Sequence, residues 1–330
     1  MSLVAEPRSL SEGRAVVPLR SLSEGRAAGA TETKRTIPRD EWLAHTEAHA
    51  ARVAELAAAW REARSAGLAH PVEDFLFTYY NTTLPHLRRW HPGEGVALKD
   101  ALDAPNAAWR WYGPGAEPRS LVADAAGFRA EKAALIEAIR RILRGTASRK
   151  AQYGCFGLHE WAMVYRSDAT RHPVPLRLGR DGTDAVVEAS ALRCTHYDAF
   201  RFFTPPAEPR NALVATPEGM PTREAQPDLE QPGCLHVGMD LYKWAMKLGP
   251  LVPGDLLLDA FELARDIRRV DMDASPYDAT AWGSEPIMVE TPDGRADYAR
   301  RQREFAERGA PIRVALLAIA EGSSRSVPGR

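Results

Sequence analysis

The sequence predicts a mainly α protein: a single large helical domain with a small β-hairpin region near residues 175–204. Three observations carry that expectation. Ala-, Leu- and Glu-rich segments with apolar residues at helical spacing recur from Asp40 to Glu321. A strand-like, turn-containing stretch is confined to one short region. No apolar run approaches the ~18 residues that would cross a membrane, which with the cysteine pattern below points to a cytoplasmic protein.

The elements follow in order. Residues 8–15 and 20–27 both read RSLSEGRA, so 1–38 is expected to be a disordered low-complexity tail. A mainly helical domain over 39–322 and a second short tail, 323–330, complete the chain. RDEWLAHTEAHAARVAELAAAWREARSAG (39–67) is helical, with Leu43, Val53, Leu56 and Trp60 as its larger apolar residues and Gly67 as its stop. His45 and His49 stand four apart there, and so polar a helix points them to solvent. HPVEDFLFTYYNTTLPHLRRWHPG (70–93) opens and closes on proline signals, and a Trp-rich loop, AWRWYGPG, comes after it. Residues 125–144 form an amphipathic helix. PLRLGRDGTDAVVEA (175–189) reads as strand, Asp181-Gly182 turn, strand, and THYDAFRFFTPP is aromatic before a double proline. Helices return at about 234–248, 254–271 and 294–321.

With 330 residues and 45% hydrophobic content, the chain can bury a sizeable core. Its net charge of −1 lacks the basic balance by which nucleic-acid binders usually announce themselves. Cys155, Cys194 and Cys234 are odd in number with no CxxC, so they frame neither a disulfide scaffold nor a structural zinc site. The common nucleotide, serine-hydrolase and zincin motifs are absent from the sequence.

Four blocks could carry chemistry. In CFGLHEWAMVYR (155–166), His159 and Glu160 sit beside Trp161 and Tyr165, which share a helical face. In CLHVGMDLYKWAMKL (234–248), His236 and Asp240 are four apart on the face of Lys243, a workable metal or acid–base unit. In 255–273, Asp255, Asp259, Glu262 and Asp266 form a carboxylate stripe that calls for facing arginines or a metal. In THYDAFRFF, read as extended, His196 and Asp198 point one way while Tyr197 and Arg201 point the other. His159, His196, His236, Asp240, Glu262 and Asp266 together supply enough nitrogen and oxygen ligands for iron or manganese in a helical bundle.

HPVEDFLFTYY, LRRWHPG, CFGLHEWAMVYR, LEQPGCLHVGMDLYKWAMKL and ELARDIRRVDMDASPYD together resemble a bacterial family catalogued as 3-methyladenine DNA glycosylase, over about residues 70–310. It is not the helix–hairpin–helix or zinc-clasp type of glycosylase. The resemblance implies a base-excision hydrolase releasing alkylated purines from damaged DNA, with no cofactor. Such an enzyme flips its cationic base out of the duplex and stacks it on aromatics. In that reading Glu160, Asp240, His159 and His236 are the catalytic candidates, and Trp161, Tyr165, Tyr197 and Arg201 would contact substrate. Arg140, Arg141, Arg144, Arg149 and Lys150 would contact phosphates. The first alternative is a non-haem metalloenzyme acting on a small molecule through His159, His236, Asp240, Glu262 and Asp266. The second is a non-enzymatic helical binding protein.

Overall fold

The computed structural model describes residues 33–70, 72–168, 170, 174–215 and 220–323. The expected tails fall almost entirely outside these residues. The folded unit begins before residue 39, however, because Arg35–Ile37 form a paired strand, β1. The first helical segment forms α1 (Arg39–Leu56) and α2 (Ala58–Ser65), and α3 (Asp74–Thr78) and α4 (Leu84–Leu87) are single short turns. Strands β2 (Val96–Leu98), β3 (Tyr112–Pro114) and β4 (Leu121–Ala123) join β1 in a four-stranded sheet of order β1-β2-β4-β3. The β1–β2 pair is parallel and the other two are antiparallel. This sheet covers a small second core of Ile37, Trp42, Trp90, Leu98 and Leu121.

The amphipathic stretch after it becomes α5 (Ala125–Glu131) and α6 (Ala133–Ala147), with Ile136, Ile139, Ile142 and Leu143 buried. Then come α7 (Leu158–Ala162), α8 (Gly179–Glu188), α9 (Tyr197–Phe200) and α10 (Gln226–Leu229). Three long helices finish the chain: α11 (Leu235–Leu248), α12 (Gly254–Asp273) and α13 (Pro292–Ala320). Helix α11 is buried on nearly every side and packs against α12 and α13, while α6 lies on α13 and α1 on α12. None of the described helices is long and apolar enough to cross a membrane.

The expected hairpin near 175–204 is a correction. The protein is mainly helical with a little sheet, but the sheet lies before residue 124. Gly179–Glu188 is a helix, and only isolated bridges, Leu176 to Tyr277 and Leu192 to Asn211, are extended nearby. Asp181-Gly182 reads as a turn, yet it occupies the first helical turn, where an acidic side chain favours the positive end of the helix dipole. Thr183 and Val187, four apart, are both buried, which is helical periodicity. The extended reading of 195–203 is corrected too: Tyr197–Phe200 is a helical turn that follows an extended His196.

Candidate metal centre

Three histidines and four carboxylates meet between α7, α11, α12 and the loop before α11. Each arrives for a local reason. Phe156 and Gly157 take consecutive left-handed conformations (φ 50° and 70°), turning the chain sharply into α7. A Cβ on Gly157 would stand 3.2 Å from both Ala274 and Tyr298. Trp161 then donates its indole N–H to the Ala274 carbonyl at 2.9 Å, tying α7 to the end of α12. That tie sets His159 opposite Asp271. His236 and Asp240 are one turn apart on α11, and His196 and Glu230 reach in from the flanking segments.

The ligand atoms fall into two triads, His159/His236/Asp271 and His196/Glu230/Asp240, each with its atoms within 4.8 Å of one another. In the first, His159 Nε2 lies 3.0 Å from Asp271 Oδ1, and its Nδ1 lies 3.5 Å from the half-buried Cys155 Sγ. Arg268 donates through Nη1 to Glu160 at 3.1 Å and to Asp271 at 3.0 Å. In the second, His196 Nε2 lies 3.3 Å from Glu230 and 3.4 Å from Asp240. Lys243 bonds Asp240 at 2.9 Å, and the Tyr80 hydroxyl donates to it at 3.2 Å. The two triads adjoin through His236, whose ring is 4.5 Å from that of His159 and 5.2 Å from that of His196.

Buried polar atoms without partners concentrate here. Both ring nitrogens of His196, Glu230 Oε2, Arg268 Nε and Nη2, and the Tyr298 hydroxyl lack hydrogen bonds among the described residues. Most buried polar groups in proteins are paired, so these atoms are open to a further partner. In the contact network four carboxylates (Glu160, Glu230, Asp240, Asp271) meet two permanent cations, Arg268 and Lys243, and two imidazoles, His159 and His196, whose pKa the facing carboxylates raise.

The ionisation of each group follows from its neighbours. Burial disfavours the charged imidazole of His159, but Asp271 overrides it and raises its pKa well above the usual value. Burial and the neighbouring His159 push His236 well below, so this ring is neutral and available as a ligand. Asp271 and Asp240 are held below the ordinary carboxylate range: burial acts against ionisation, and His159 for one and Lys243 for the other prevail over it. Burial pushes Glu230 up.

Of the residues singled out in the sequence, His159, His236 and Asp240 stand in the triads, and Glu160 contacts them through Arg268. Tyr197 and Arg201 lie at the outer edge, where Arg201 bonds Asp198 at 3.0 Å and Asp198 bonds Lys243 at 3.0 Å. Trp161 and Tyr165 do not present stacking faces. Both are fully buried, and the Tyr165 hydroxyl bonds Glu188 at 3.0 Å. Glu262 and Asp266 do not reach the centre, because Arg52 holds Glu262 at 2.7 Å and Arg308 holds Asp266 at 2.8 Å. The phosphate-contact set is mostly engaged: Arg140 with Glu137, Arg144 with Glu321, and Arg149 with the Pro227 carbonyl at 2.7 Å. Arg141 and Lys150 are exposed. His49, expected in solvent, is buried against the Leu87 carbonyl at 2.9 Å.

Sequence reasoning missed Asp271, Arg268 and Glu230. For the first two a signal existed. Leu257, Phe261, Ala264, Arg268 and Asp271 recur at four- and three-residue offsets along the apolar stripe of α12, so two charges sit where core residues belong. Glu230 lies in a Pro-rich loop with no periodicity to expose it. No family model, curated protein or solved structure matches the chain.

Proposed function

We propose that the protein is a His/carboxylate metalloenzyme that holds iron(II) or manganese(II) and acts on a small molecule. The carrying observation is the pair of adjoining buried His/carboxylate triads, with unpartnered polar atoms among them. Two histidines and one carboxylate, as in His159/His236/Asp271, are a set suited to non-haem iron, and neutral nitrogen with carboxylate oxygen suits manganese as well. Bound there, the ion supplies Lewis acidity and open positions for substrate. The chain's own groups do the positioning. Arg268, gripped by Glu160, fixes the second oxygen of Asp271. Lys243 and Tyr80 fix Asp240, and Asp198, itself held by Arg201, shares Lys243 with it.

Metal analysis of protein purified without chelator is the test, repeated after stripping and reloading with iron(II) or manganese(II) under anaerobic conditions. One ion per chain, lost in Asp271→Ala and His236→Ala variants that remain folded, supports the reading. Two per chain extends it to the His196/Glu230/Asp240 set. Failure to take up either metal removes it. Release of methylated bases from alkylated DNA by the stripped protein would favour the hydrolase that the family resemblance implies.

A further inference from the structure

The Trp-rich loop left unexplained by the centre lines a separate cleft of about 500 Å³ between the sheet, α5 and the C-terminal end of α11. We infer that this cleft binds a small aromatic anion, a mononucleotide being the fitting class, with its ring among Trp109, Trp111 and Tyr112 and its anionic group held by Arg89, Arg110 and Lys247. The volume lies within the ~300–1,000 Å³ typical of small-ligand sites.

Composition makes the lining unusual. The chain carries 44 acidic residues against 43 basic ones, yet the cleft wall has three cations and two histidines and no carboxylate among the described residues. Arg89 and Lys247 have no carboxylate partner among the described residues, unlike most arginines on this surface. Arg110 does pair with Glu131, at 2.5 Å. An unpaired cation in a concave wall attracts an anion more strongly than one on an open surface, because solvent screens it less.

The aromatic half is preassembled. The Arg89 guanidinium sits 5.6 Å from the Trp109 ring, and that of Arg110 sits 4.5 Å from the ring of Trp111. His91 stands edge-on to Trp109 at 5.0 Å and stacked on Tyr112 at 5.8 Å, with its Nδ1 2.9 Å from the Tyr112 hydroxyl. Burial keeps that imidazole neutral, so its contribution is shape and hydrogen bonding instead of charge. Phe128 and Leu257 contribute apolar lining for a ring. Rings stack on Trp and Tyr at modest cost in ordering, and phosphate bonds arginine in charge-assisted pairs.

The experiment is a calorimetric titration of the intact chain with AMP, with adenosine and inorganic phosphate as separate arms. AMP should bind, and more weakly at higher ionic strength. Adenosine and phosphate should each bind at least about tenfold more weakly. Arg89→Ala and Lys247→Ala should each weaken AMP about tenfold, and Trp109→Phe should keep more affinity than Trp109→Ala. Melting temperature and metal content, measured in parallel, should be unchanged in the Arg89 and Lys247 variants, which separates this site from the metal centre. No AMP binding, AMP binding unaffected by all the variants, or phosphate binding as tightly as AMP would each overturn the inference.

Discussion

Helix α12 presents carboxylates on two faces, and the same chemical group behaves in opposite ways on them. On the outer face Asp259 and Glu262 both accept from Arg52, at 2.8 and 2.7 Å, and Asp266 accepts from Arg308. Each is partly solvated, and Asp259 and Glu262 share one arginine from α1 while Asp266 has one from α13. On the inner face Asp271 is fully buried, and its oxygens meet one histidine and one arginine that is itself shared with Glu160. The outer row meets its arginines in partial solvent, whereas the inner carboxylate converges with two imidazoles and an arginine out of water. Spacing along one helix is common to both rows; burial and the nitrogen groups that face them are what differ.

The largest expected effect comes from breaking the inner face. Asp271→Asn should lower stability by about 3–5 kcal/mol, because Arg268 and His159 lose their shared buried partner. It should also abolish the stabilisation that added metal gives the wild type, about 2.7 kcal/mol at a hundredfold excess over Kd. Chemical denaturation with and without manganese(II) measures both. An Asp271→Asn variant as stable as the parent, with the same response to metal, would show that the inner carboxylate is ordinary core.

A smaller effect sharpens the lesson that partners decide what burial does. His159 is buried against a carboxylate and is pushed up; His91 is buried beside Arg89 with no carboxylate in contact, and burial pushes it down to about 4. An unfolded histidine titrates near 6.5, so between about pH 6.5 and 4 the unfolded chain binds a proton that folded His91 refuses. Its contribution is thus present at neutral pH and lost as pH falls, by about 2 kcal/mol at pH 5. His91→Asn, which can keep a hydrogen bond to Tyr112, should flatten the pH dependence of stability over that window. Identical slopes for parent and variant would mean that His91 protonates freely in the fold.

Much of this was legible in the sequence, and the errors have physical causes. The long helices α1, α6, α11, α12 and α13 declare themselves by period, because burial of one face imposes it. His159, His196, His236 and Asp240 stood out because polar residues interrupt aromatic, apolar blocks. The pattern of α11 does not show how deep its polar face lies: the helix is central, and His236, Asp240 and Trp244 are all buried. The outer stripe of α12 calls for facing arginines or a metal, and it meets arginines, although spacing along one helix cannot reveal that they are Arg52 and Arg308. Glu230 and the sheet depend on contacts between segments far apart in sequence, such as β1 beside β2, which no local pattern records.

The smallest effect belongs to the outer row and is the sternest check on the comparison. Arg52 and its two acidic partners all retain solvent exposure, at 33, 49 and 37%, so water screens the pair and each partner keeps an alternative. Glu262→Gln leaves Arg52 bonded to Asp259, and Asp266→Asn leaves Arg308 on an open surface. Each should change stability by no more than about 0.2–1 kcal/mol and leave metal uptake untouched. Removing a like charge from the stripe also relieves repulsion along the helix, which pulls the net change towards zero. Should either variant lose metal or destabilise the fold as strongly as Asp271→Asn, the two faces of α12 would not be independent, and the centre would have to extend through the helix to its outer row.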